Sequence, residues 1–132
     1  MPTDTFRIVH STLIEHYQFI EAHLESIYSN LSEKDYLEGL EDVKKASLPA
    51  IIRAIQKMEK EKGVSVFTAE EYDCLSHIFQ RRNFWCHNCF YDLTFDFKTG
   101  NLKKPEDMHR MMADLREAEE WREKLFRKQE QH

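Results

Sequence analysis

Apolar residues recur at intervals of three and four along most of this chain, the spacing of one face of an α-helix. The first stripe is Ile8, Leu13, Tyr17, Ile20, Leu24, Ile27 and Leu31, broadened by Phe6, Val9 and Ile14. It predicts a helix that starts at Thr3 or Asp4, either of which can cap free backbone N–H groups, and runs to about residue 30. Ser32 reads as the next N-cap.

A second helical region is expected from about Glu33 to Lys62, with Leu37, Leu40, Val43, Leu48, Ile51, Ile52, Ile55 and Met58 facing inward. Pro49 interrupts it. Ser47 can cap a new helix with Pro49 in its first turn, where a missing N–H costs little, so a join falls near residues 46–48. Gly63 follows Lys57, Lys60 and Lys62 as a stop signal. Val64-Ser65-Val66-Phe67 reads as an extended connector. Thr68-Ala69-Glu70-Glu71 then fits a capping box that opens a helix reaching about residue 94. Residues 94–103 alternate and carry a Gly-Asn turn signal, which predicts a loop or small hairpin. Pro105-Glu106-Asp107 opens a last helix lined by Met108, Met111, Met112, Leu115, Ala118 and Leu125, with a charged tail from Trp121 to His132 expected to fray. The sum is an all-α, up-down bundle of four to five helices, a single domain over residues 1–132.

Composition narrows the function classes. The 132 residues carry a formal net charge of −5, so any nucleic-acid contact must come from a local basic site, not from a coat of positive charge. Three cysteines, Cys74, Cys86 and Cys89, with no secretory signal pattern, point to reduced thiols. No apolar run approaches the length of a membrane span. The expectation is a cytoplasmic protein with no membrane association.

The stretch Gln80-Arg81-Arg82-Asn83-Phe84-Trp85-Cys86-His87-Asn88 places Arg, Asn and His among large aromatics on an otherwise amphipathic helix. Arg82 and His87 are five residues apart, about 140° on an ideal helix, so only the long Arg side chain can bring the two head groups near each other.

This segment resembles the motif of the HEPN family, helical bundles marked by Arg, often a polar residue, and His in an R-x4-6-H pattern. Arg82-Asn83-Phe84-Trp85-Cys86-His87 has that form. The resemblance implies a metal-independent endoribonuclease, toxin-like or defensive, that works as a homodimer with two motifs facing across the interface. It also implies an RNA substrate, and an antitoxin protein as a partner. No cofactor and no metal are implied. In that chemistry His87 exchanges a proton with the 2′-hydroxyl or the leaving 5′-oxygen, since histidine titrates near neutral pH. Arg82 holds the phosphate, and Asn83 binds a phosphate oxygen or orients His87. Tyr91, Arg81 and Asn88 are supporting candidates, and Arg81 also fits the permitted spacing. The chain departs from some family toxins at Cys89, where those carry a tyrosine that a partner nucleotidyltransferase modifies. A non-catalytic HEPN module that binds RNA, a nucleotide or a protein is the alternative.

Other patterns have plainer readings. Cys86-His87-Asn88-Cys89 lacks the second ligand pair of a structural zinc site and reads as buried thiols. His16 and His23 share a face of the first helix, which leaves a bundle metal site as a further alternative, with surface histidines as the simpler account. His77 lies one turn beyond Asp73 and reads as a surface pair.

Overall fold

The computed structural model describes residues 4–89 and 95–132, with all side chains there except those of Asn88 and Phe95. Five α-helices are formed among them: α1 (Asp4–Leu31), α2 (Tyr36–Val43), α3 (Leu48–Lys62), α4 (Ala69–Asn83) and α5 (Pro105–Gln131). A π-helical turn, Phe84–Asn88, continues α4. A two-residue hairpin precedes α5: β1 (Phe95–Asp96) pairs antiparallel with β2 (Asn101–Leu102), Phe95 opposite Leu102 and Asp96 opposite Asn101. The all-helical bundle and the small hairpin are both as the pattern predicts.

The local signals explain most boundaries. Ser47 Oγ accepts the Ala50 N–H at 3.3 Å and opens α3 with Pro49 in its first turn. Gly63 closes α3 at φ 65°, a left-handed conformation that glycine adopts without penalty. Thr68 and Glu71 exchange both bonds of the capping box at the head of α4, at 3.1 and 2.9 Å. Glu59 gathers the α3–α4 connector, accepting the Val66 and Phe67 N–H groups at 2.7 and 3.1 Å and the Tyr72 hydroxyl.

The core runs between α1 and α5, the most extensively packed pair of elements. These two helices are parallel. His16 faces Glu119 and Arg122, and His23 faces Gln129, so the contacts advance together along both chains. α4 runs the other way beside α5, Glu71 meeting Lys124 and Lys128 while Arg81 meets Asp114 and Glu117. Leu13, Tyr17, Ile20, Leu24 and Ile27 of α1 close on Met111, Leu115, Ala118 and Leu125 of α5, with Ile51, Ile55, Leu75 and Ile78 completing the interior.

Four expectations are corrected. Ile8 is 64% exposed, because a five-residue step to Leu13 takes it off the stripe; Phe6 is the buried start of α1. Leu37 is 68% exposed, since α2 buries only Gly39 and Val43. The cap of α2 is Asp35, which accepts the Leu37 N–H, whereas the Ser32 hydroxyl bonds back to Ser29 O. The tail does not fray: α5 stays helical to Gln131, with Trp121 and Leu125 buried and Lys128 donating to Val66 O at 2.7 Å. An apolar stripe continuing through 118, 121 and 125 outweighs the charges around it.

Gly39 sits where α2 crosses α1. A Cβ built there would lie 2.9 Å from the Ser29 Cα and 2.5 Å from its Oγ. The Ser29 hydroxyl, buried at this crossing, donates to Tyr36 O and ties the start of α2 to α1.

Candidate functional site

The motif lies where α4 widens into the π turn. The Cys89 N–H bonds to Phe84 O at 2.7 Å, five residues back where an α-helix would use four. A wider turn rotates less per residue, so the step from Arg82 to His87 falls short of the 140° of an ideal α-helix, and the two positions come round nearer to one side. Trp85 O accepts from His10 Nε2 at 2.8 Å and from the Cys89 thiol at 3.3 Å. His10 stacks on Phe6, with ring centroids 5.3 Å apart, and so bolts α1 to the π turn.

Within this frame the candidate residues separate. Arg82 is half-buried and directed to α1, its Nε 2.6 Å from Glu21 Oε1. His87 is exposed and makes no hydrogen bond or ion pair among the described residues. Asn83, half-buried, stands between them in sequence. No contact within the chain joins the Arg82 guanidinium to the His87 ring among the described residues. Tyr91 and the side chain of Asn88 lie outside the described residues.

Arg81 faces the opposite helix. Its guanidinium meets Asp114 at 3.5 Å and Glu117 more closely, and Trp85 Nε1 donates to Asp114 Oδ2 at 2.7 Å. Asp114 is 8% exposed, so this carboxylate stands inside the core edge with its partners around it. Burial pushes the Glu117 carboxyl up, and Arg81 pulls it partly back. The Tyr17 hydroxyl lies below the same cluster, with no hydrogen-bond partner among the described residues; burial, then the Asp114 charge, push its pKa far up. Arg110 lies over the Phe84 ring at 4.2 Å and near Trp85 at 5.2 Å.

Three residues that shape this region lie outside the motif read from the sequence. His10 fills the slot between Phe6 and Leu13, and Asp114 the slot between Met111 and Leu115. Each is a polar residue at an inward position of an apolar stripe, and that is the signal that could have found them. Glu21 has no such mark, because it sits at the edge of its stripe.

The cysteines are separate in character. Burial pushes the Cys86 thiol up, with Arg82 lowering it and Glu21 raising it, which disfavours a thiolate at neutral pH. Cys89 is fully buried and Cys74 exposed. His16 and His23 are engaged independently. A guanidinium can only donate, so His16 Nδ1 accepts from Arg122 at 3.3 Å while Nε2 faces Glu119 at 3.8 Å. His23 Nδ1 lies 2.7 Å from Gln129 Oε1. Among the described residues no group of three or more His, Cys, Asp or Glu side chains is placed to hold a metal ion. No helix among them is long and apolar enough to cross a membrane.

The chain matches no protein-family model, no curated protein and no solved structure.

Proposed function

We propose that this protein is a metal-independent endoribonuclease of HEPN type, with Arg82, Asn83 and His87 of two copies forming a composite site at a homodimer interface. The observation that supports this reading is the contrast between its two key side chains. Arg82 is anchored by Glu21, and His87, one turn on, is exposed and unbonded on a π turn. Such turns are frequent at functional sites.

The chemistry requires no metal. The substrate 2′-hydroxyl attacks the adjacent phosphorus, the bond to the 5′-oxygen breaks, and a 2′,3′-cyclic phosphate is left. One His87 takes the 2′-hydroxyl proton and the other protonates the departing 5′-oxygen. Arg82 binds a non-bridging phosphate oxygen and offsets the charge that builds there. A single motif supplies one imidazole, which is why the reading includes a second copy. The role is toxin-like or defensive in a cytoplasm, with an antitoxin protein that silences it.

A second reading has its own support. The Arg82 guanidinium is already matched by Glu21 at 2.6 Å, so a phosphate must compete with a carboxylate for it. That favours a non-catalytic HEPN module that binds RNA, a nucleotide or a protein. The deciding experiment is cleavage of structured and single-stranded RNA in EDTA by wild type and His87→Ala, with the mass of each in solution. Loss of cleavage at unchanged dimer mass supports the enzyme. Equal cleavage by both proteins removes His87 from the mechanism. RNA binding without cleavage by wild type supports the second reading.

A further inference from the structure

A cleft of about 460 Å³ opens beside the motif, lined by Gln80, Arg81, Phe84, Trp85, Arg110 and Asp114. We infer that this cleft is a nucleotide subsite, which seats one base of a single-stranded RNA against the Arg110–Phe84 stack and that nucleotide's phosphate against Arg81 and Arg110. The inference deepens the ribonuclease reading and rests on it for the direction of the strand.

The volume suits one nucleotide, being within the roughly 300–1,000 Å³ of small-ligand sites. Its chemistry is that of base recognition. Arg110 lies over Phe84, its guanidinium carbon 4.2 Å from the ring centroid, and Phe84 and Trp85 meet edge to face with centroids 4.7 Å apart. Guanidinium planes and aromatic rings are the surfaces on which unpaired RNA bases stack. Gln80 is exposed at the rim, and its amide offers a donor and an acceptor to a base edge.

Charge sets the order of importance. Arg81 is shared with Asp114 and Glu117, and Arg110 has Asp107 at 3.8 Å. The two cations are therefore largely matched, and the cleft relies on stacking more than on attraction for phosphate. That agrees with a chain whose net charge is −5. Position supplies the link to the motif. Gln80 and Asn83, three residues apart on α4, are near neighbours on its surface, and the π turn that carries His87 follows directly. Phe84 lines the cleft and opens the π turn that carries His87 three residues on, which is the link between the subsite and the motif.

The test uses a fluorescein-labelled 2′-O-methyl RNA of mixed sequence, which cannot be cleaved through its 2′ position, titrated by anisotropy. Arg110→Lys keeps the charge and removes the planar stack. It is expected to weaken binding about tenfold, as is Gln80→Ala to a smaller extent, with helicity and melting unchanged. Equal affinity of wild type and Arg110→Lys overturns the subsite, as does the absence of RNA binding by wild type. The ribonuclease reading is scored separately, on unmodified RNA. Should wild type bind, Arg110→Lys lose binding and neither cleave, the subsite stands and the enzyme falls. Should both cleave with equal affinity, the enzyme stands and the subsite falls.

Discussion

Arg82 and Glu21 form a short ion pair that joins the motif helix to α1, with Nε 2.6 Å from Oε1 and each side chain about one-quarter exposed, at 27% and 25%. A charge pair so placed has two roles at once, fixing the guanidinium and holding two helices together. Arg82→Ala leaves the Glu21 carboxylate half-buried with no partner from α4. The expected loss is about 1–2 kcal/mol of stability, in addition to any loss of cleavage. His87→Ala removes an exposed, unbonded ring and is expected to change stability by less than about 0.5 kcal/mol. Urea unfolding of both variants checks this; equal destabilisation would contradict the division of labour.

Asp114 accepts the Trp85 indole N–H inside the edge of the core and also faces Arg81. Asp114→Ala strands a buried donor and is expected to cost about 2–3 kcal/mol. Asp114→Asn keeps an oxygen for the indole and is expected to cost less. Chemical denaturation monitored by tryptophan fluorescence separates the two, and a neutral alanine variant would refute the account.

Glu71 gives the fold an acid-sensitive point. Burial works to raise its carboxyl, but the hydrogen bonds from Lys124, the Thr68 N–H and Lys128 prevail and hold it down at about 2, against an ordinary 4.5. A carboxyl depressed in the folded state contributes stability that is fully present above its unfolded value. That contribution is lost as pH falls from about 4.5 towards about 2. Glu71→Gln preserves the capping box and removes the charge. Its melting temperature is expected to fall less steeply than that of wild type over this window. Parallel acid limbs for the two proteins would show that Glu71 does not set this sensitivity.

The α1–α2 crossing leaves no room for a side chain at position 39. Gly39→Ala places a Cβ 2.9 Å from backbone of α1, which must shift, and the expected cost is about 1–3 kcal/mol. Added helix propensity from alanine works in the opposite direction and is smaller. Thermal melting at neutral pH measures the balance; a stabilised variant would mean that α2 moves freely on α1.

The fold was legible where local chemistry and burial agree. Ser47 with Pro49, the Thr68–Glu71 box and Gly63 each mark an end that the structure keeps. The misreadings have a common cause, which is that periodicity reports a stripe but not what covers it. Ile8 and Leu37 are apolar yet have no helix over them, and the charged stretch after Trp121 is held down by Glu71 of α4 and Val66 of the α3–α4 connector. At the site, the motif could be read but its partners could not. Glu21 lies 61 positions before Arg82, and the π turn depends on a His10 imidazole 75 positions away that bonds to Trp85 O. Spacing can mark His10 as a polar residue on an apolar stripe, but it does not name the partner 75 positions away.

The parallel alignment of α1 with α5 has a bearing on how this chain folds in a cell. The α1 helix finds its principal neighbour in α5, with α2, α3 and α4 made between them. Until α5 emerges from the ribosome, Leu13, Ile20 and Leu24 lack the helix that closes over them, so the core is completed late and through contacts distant in sequence.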